Sequence, residues 1–159
     1  MPLLTIEQCR QQCRADGEHD DALLGDLLAS AEDAAAAYLN RSLYADQEGL
    51  DAALDSLPDG AANASQAYET AAVEAAAEAG TAKAAAILSV AESRMGAWQL
   101  QAGRIMAGIV ANGSILAAIR LTLGHLYANR EDVVTGVSVA ELPQGAKALL
   151  RPYRRVMGP

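Results

Sequence analysis

The sequence predicts an all-α fold: a small helical bundle with a long Ala-rich helical insertion, and a short β-hairpin or extended loop before its C-terminal helix. Three observations predict it. Apolar residues recur at helical spacing in Leu23, Leu24, Leu27, Leu28, Ala31, Ala35, Tyr38 and Leu39, and again in Ile115, Ile119, Leu123 and Leu126. The apolar share is 52%, yet the aromatic share is 4% and Phe is absent, so alanine supplies much of it. That composition favours helices packed closely together over a core of large side chains. Strand-like composition is confined to Val133-Val134-Thr135-Gly136-Val137-Ser138-Val139. At 159 residues the chain is one domain with an insertion at about 45–111.

Each element has a local reason. Thr5, with Gln8 three residues on, is a capping box for a first helix whose face carries Ile6, Cys9 and Cys13; Asp16-Gly17 ends it. A second helix starts at Asp20-Asp21, where carboxylates are expected to cap free N–H groups, and stops at Asn40-Arg41-Ser42, Asn tolerating the left-handed closing turn. A short amphipathic piece (Leu50, Ala53, Leu54, Leu57) is expected to stop at the turn signal Pro58-Asp59-Gly60.

An Ala-rich run of helix formers follows over about 65–108, with a break at Gly80-Thr81. Its larger side chains are sparse, so its own core would hold it weakly. It either lies along a neighbouring subunit, stands away as an arm, or forms an antiparallel hairpin on the parent domain. Ser114 is expected to cap the next helix, the most apolar of the chain and the centre of the core. Leu142-Pro143 introduces a last short helix ending at Arg151-Pro152. The basic tail from Tyr153 onward is expected to order only against a partner.

The net charge of −8 is unevenly spread. Residues 1–80 carry sixteen carboxylates against three arginines, a net −13; residues 81–159 carry nine Lys/Arg against four acids, a net +5. Such a split suits complementary surfaces meeting head-to-tail between copies, or the two halves neutralise each other within one monomer. An acidic chain is a poor candidate for extensive DNA binding, which needs a basic stripe. Cys9 and Cys13, four apart on one face, read as small buried apolar residues. The N-terminus lacks a basic region followed by an apolar one, so a signal peptide is not expected, and the compartment is cytoplasmic by default. Asn112-Gly113-Ser114 and Arg120 interrupt the apolar stretch 105–127, so a membrane span is not expected.

Chemistry is missing. Glu18-His19-Asp20-Asp21 cannot converge on one ion, because adjacent residues at a helix start point apart. His125 has no acid or second His at ligand spacing, and reads as a hydrogen-bonded structural residue. No Gly-rich phosphate loop, nucleophile elbow or zinc-ligand pattern occurs. No catalytic, cofactor or metal residue is therefore expected. A helical-bundle enzyme would need carboxylates and His on a common inner face. Lys147, Arg151, Arg154 and Arg155 could touch DNA phosphates or acidic protein, or serve as solvated surface charge.

The order of elements carries a resemblance. A short first helix leads to Asp20-Asp21-Ala22-Leu23-Leu24 and a helix ending Tyr38-Leu39-Asn40-Arg41-Ser42-Leu43. Later come His125-Leu126-Tyr127-Ala128-Asn129-Arg130-Glu131, Leu142-Pro143, and Ala148-Leu149-Leu150-Arg151-Pro152-Tyr153-Arg154. The set, over about 3–44 and 114–155, resembles the head–tail connector (adaptor or head-completion) proteins of long-tailed bacteriophages. The resemblance implies a helical virion subunit that forms a ring, commonly of twelve copies, beneath the portal after DNA packaging. Such a ring extends the channel for double-stranded DNA, without sequence-specific binding, and supports a head-closure or tail component; it sits in the virion neck after assembly in the host cytoplasm. It also implies portal docking by Leu149, Leu150, Arg151, Pro152, Tyr153, Arg154, Arg155 and the rest of the tail 151–159, and anchoring of the following loop by Tyr127, Asn129 and Arg130. The insertion at 45–111 departs from simple members. The competing reading is a small prophage-encoded helical regulator or chaperone that binds one protein partner.

Overall fold

The computed structural model describes residues 2–129 and 142–155. In chain order its elements are α1 (Ile6–Cys13), α2 (Asp21–Leu39), β1 (Leu43–Tyr44), α3 (Gln47–Asp55), α4 (Leu57–Ala77), α5 (Ala82–Met106), β2 (Ile109–Val110), α6 (Gly113–Ala128), α7 (Gln144–Leu150) and a 3₁₀ turn, Arg151–Tyr153. Among the described residues the fold is all-α apart from a two-residue parallel pair. The chain divides into two compact units, one of Met1–Gln47 with Gly108–Pro159 and one of Glu48–Ala107.

In the first unit α6 is the central helix. Ile115, Ile119 and Leu123 are completely buried at four-residue spacing, so one face points continuously into the core. Packed on it are α1, α2 and α7. From α2 come Leu24, Leu28, Ala31, Ala35 and Leu39; Leu4, Cys9, Ala146 and Leu150 close the remaining sides. Each fully buried Leu or Ile stabilises the fold by roughly 1.5–3 kcal/mol relative to exposure. No tyrosine enters the centre: Tyr38, Tyr127 and Tyr153 lie at its margin.

The helix ends follow local chemistry, with corrections at α1 and α6. Thr5 opens α1 through the expected capping box: Gln8 N donates to Thr5 Oγ1 at 3.3 Å, and Thr5 N donates to Gln8 Oε1 at 3.0 Å. Asn40 closes α2 at φ 54°, as the sequence indicated. However, α1 stops at Cys13, ahead of Asp16-Gly17, with Arg14 taking the left-handed conformation. The cap of α6 is Asn112, not Ser114: its Oδ1 accepts from Ser114 N at 3.0 Å and Ile115 N at 3.1 Å, so one side-chain oxygen satisfies two otherwise unpartnered amides.

β1 and β2 pair in parallel, Leu43 beside Ile109 and Tyr44 beside Val110. Ile109 N donates to Ser42 O at 3.0 Å and Ala111 N to Tyr44 O at 2.8 Å. No sequence pattern announces this pair, because two residues are too few for an alternating pattern. The chain thus leaves the first unit and returns to it along adjacent strands.

The second unit holds α3, α4 and α5, with α4 and α5 packed as a helical hairpin. Pro58-Asp59-Gly60 is not a turn; it forms the first turn of α4, where proline has no intrahelical N–H bond to lose. Gly60 also lets Trp98 approach, since a Cβ there would lie 3.1 Å from Trp98 Nε1. The expected break is real: Gly80 has φ 81°, and Thr81 caps α5 by accepting from Ala84 N at 3.2 Å. Every buried residue of this unit is an alanine: Ala75, Ala84, Ala91 and Ala102. The strand-like segment 133–139, Arg130 and the tail residues 156–159 lie outside the described residues.

Candidate functional site

The residues singled out at the end of α6 and the start of α2 meet each other. Tyr127, in the last turn of α6, donates its hydroxyl to Asp20 Oδ2 at 2.5 Å. One residue on, Asp21 receives Arg10 of α1: Nε donates to Oδ1 at 2.7 Å and Nη2 to Oδ2. Arg10 Nη2 also lies 3.9 Å from Glu18. The Arg10 hydrogen bonds hold the Asp21 carboxyl below the usual carboxylate range, outweighing partial desolvation. Asp20 makes no capping bond with its side chain. The two acids, expected as caps, instead tie the start of α2 to α1 and α6. For Asp21, a guanidinium at fixed distance competes better for a carboxylate than a helix amide already solvated by water. The doubled acid was the sequence signal, since one carboxylate is enough to cap a helix.

Asn129 closes α6. Its backbone N and its side-chain Nδ2 both donate to His125 O, at 3.0 Å and 2.9 Å, and Nδ2 lies 3.2 Å from His125 Nδ1. His125 is thus a hydrogen-bonded structural histidine. Tyr127 and Asn129 secure the helix end itself.

Residues 149–155 divide by exposure. Leu150 is completely buried and Leu149 half-buried, as is Tyr153; Arg151, Pro152, Arg154 and Arg155 are exposed. The segment is held by its own subunit: Arg155 N donates to Leu39 O at 2.9 Å, and the Arg154 guanidinium carbon lies 5.1 Å from the centre of the Tyr38 ring. A helix leaves its last carbonyls without intrahelical partners, and the tail satisfies one of them. Tyr153–Arg155 therefore takes its place without a second chain, unlike the expectation for the whole tail. The result is a basic strip on the last turn of α2.

At the N-terminal side, Leu3 N donates to Glu32 Oε1 at 2.6 Å. Burial pushes the Glu32 carboxyl above its ordinary value, against the lowering effect of that bond. Cys9 and Cys13 are free thiols, and burial raises both. Among the described residues no three His, Cys, Asp or Glu side chains are grouped so as to hold a metal ion, and no helix is long and apolar enough to cross a membrane.

One protein-family model, described as Phage gp6-like head-tail connector protein, matches residues 4–93. The match runs from the segment before α1 through α4 and into α5. It includes most of the stretch expected as an insertion and stops before the 114–155 part of the resemblance. No curated protein and no solved structure matches the chain.

Proposed function

Because the chain belongs to the phage gp6-like head-tail connector family, we propose that it is one subunit of a ring, of about twelve copies by the family resemblance, beneath the portal. The family is one of structural virion proteins and not of enzymes, and it puts the chain at the junction of head and tail, in association with other head and tail proteins. In our reading the ring extends the DNA channel after packaging and offers a platform to a head-closure or tail-terminator component. The family match over residues 4–93 carries this proposal.

Several features support it. The division of charge between the two halves suits a contact in which unlike faces of successive copies meet. An acidic chain also suits a channel through which duplex must slide, because a strongly basic wall would grip phosphates. We read about 45–111 as an insertion carried by a single connector domain; the separate compact unit Glu48–Ala107 and the side-by-side strands β1 and β2 support that reading.

We assign portal docking to the C-terminal strip. Leu150 anchors the strip in the core, Leu149 and Tyr153 support it, and exposed Arg151, Pro152, Arg154 and Arg155 face the partner. Tyr127 and Asn129 hold the helix end from which the next loop departs; Arg130, assigned with them by resemblance, lies outside the described residues.

The test is electron microscopy and sedimentation of the purified chain mixed with portal rings of the same phage. The expected result is a second ring stacked on the portal, and its loss when Arg151 and Arg154 are both replaced by Glu, with helical circular dichroism unchanged. Stacking undiminished in that variant overturns the docking assignment. A chain that stays monomeric or dimeric in the presence of portal overturns the ring and favours the regulator reading.

A further inference from the structure

We infer that the groove between α4 and α5 receives the outer face of α4 from a second copy of this chain, with Val73 seated over Val90 and Glu69 beside Arg94. This rests on the ring reading and specifies one of its contacts.

The hairpin is incompletely covered on its own. Its buried side chains are all alanines, while Val73, Leu100 and Met106 are 74%, 64% and 65% exposed and Val90 is 50% exposed. Alanine contributes little apolar area, so an isolated pair of helices of this kind gains little from its own packing. Between the helices lies a cavity of about 410 Å³, lined on α4 by Ala64, Tyr68 and Ala71 and on α5 by Ile87, Val90 and Met95. The alanines between these larger side chains, Ala67 on α4 and Ala86 and Ala91 on α5 among them, leave room for a helix bearing a modest apolar side chain.

Charge selects the occupant. Helix α4 carries Asp59, Glu69 and Glu74 and no Lys or Arg, whereas α5 carries Lys83, Arg94 and Arg104 against Glu92. Lys83, at one end of the groove, is taken by Glu78 at 2.7 Å, and Glu74, the one carboxylate lining the groove among the described residues, stands on α4. Arg94, at the other end, makes no ion pair among the described residues, and neither does Glu69. An acidic helix with a valine on its exposed face is therefore the fitting partner, and α4 itself is such a helix.

Spacing then sets direction. Val90 and Arg94 are four residues apart, as are Glu69 and Val73, so each pair spans about 6 Å along its helix. Placing valine on valine and glutamate beside arginine makes the incoming α4 antiparallel to the receiving α5. It is therefore parallel to the receiving α4. The two copies keep the same helix sense, as rotation about a ring axis requires and a twofold axis across the contact does not. The donor face (Glu69, Val73) differs from the acceptor (Val90, Arg94), so each copy can give and receive at once.

The experiment is disulfide trapping in the full-length chain. The double variant Val73→Cys with Val90→Cys, oxidised at high protein concentration, is expected to give a ladder of dimers, trimers and larger species on a non-reducing gel. Each single variant, and the native chain with Cys9 and Cys13, is the blank. Adding Glu69→Arg or Arg94→Glu should lower the ladder at least about fivefold, and combining the two should restore it; circular dichroism checks that each variant keeps its helicity. A double variant that forms no ladder, or stops at a dimer, overturns the inference. If rings are nonetheless seen by electron microscopy, the ring reading survives; if the chain stays monomeric both alone and with portal rings, both fail.

Discussion

Tyr127 and Asp20, 107 residues apart in the chain, share a hydrogen bond from phenol to carboxylate that fastens the end of α6 to the start of α2. Removing the donor leaves the carboxylate with one partner fewer at the edge of the core. Tyr127→Phe should destabilise the first unit by about 1.5–3 kcal/mol, as for a hydrogen bond to a charged group. Asp20→Asn keeps an acceptor and should cost less. Thermal unfolding followed by circular dichroism checks both; a larger loss in Asp20→Asn would contradict this account.

Two carboxyls give the first unit opposite responses to acid. Asp21 is held below its ordinary 3.8 by Arg10, so the unfolded chain binds its proton more readily than the folded one. Its contribution is present above 3.8 and is lost as pH falls through the lowered folded value. Glu32 is raised above 4.5 by burial, so the folded chain keeps its proton longer, and stability declines as pH rises from 4.5 through the raised value. Urea midpoints measured across acidic pH should show a smaller acid-side fall in Asp21→Asn, the remainder coming from Glu7, which hydrogen bonds at the start of α1 also hold below its ordinary value, and should lose the decline above 4.5 in Glu32→Gln. Glu32→Gln retains the acceptor for Leu3 N, so the comparison isolates charge.

Asn112 satisfies two amides at the start of the helix that organises the core. Asn112→Ala should cost about 1 kcal/mol, and Asn112→Asp much less. Ser114→Ala should be close to neutral, which would separate Asn112 from the neighbour that the sequence alone favoured. Chemical unfolding of the three variants decides it.

Gly60 and Trp98 provide a probe confined to the second unit. Alanine there would gain roughly 0.5–1 kcal/mol of helix propensity, but its Cβ meets Trp98 Nε1 at 3.1 Å. Valine adds two methyls at the same place, so Gly60→Val should displace the indole and destabilise the hairpin. Trp98 is the one tryptophan in the chain, so its emission reports the displacement directly. Unchanged emission in Gly60→Val would show that the indole does not pack there.

Much of this architecture was legible from residues within a turn or two of one another. The stripe Leu24, Leu28, Ala31, Ala35 and Leu39, the stripe Ile115, Ile119 and Leu123, the Thr5–Gln8 box, the closing Asn40 and the break at Gly80-Thr81 all express periodicity or capping over at most four residues. The errors arose where one local signal had two outcomes. Pro58-Asp59-Gly60 can stop a helix or begin one, and what packs beside Gly60 is a tryptophan 38 residues further on. Asn112 and Ser114 are both good caps, and backbone geometry chose the first.

By its own periodicity, then, the chain determined that it is helical and where its core stripes run. Only the tertiary structure decided what the acids at the start of α2 do: Asp20 answers Tyr127, Asp21 answers Arg10, and Leu39 takes the amide of Arg155. It likewise decided that Leu150 is buried while Arg151 and Arg154 beside it stay exposed. The physical reason is range. Helical spacing and caps are settled within a few residues, whereas a carboxylate's partner is whichever donor the packed helices bring within 3 Å, from any distance along the chain.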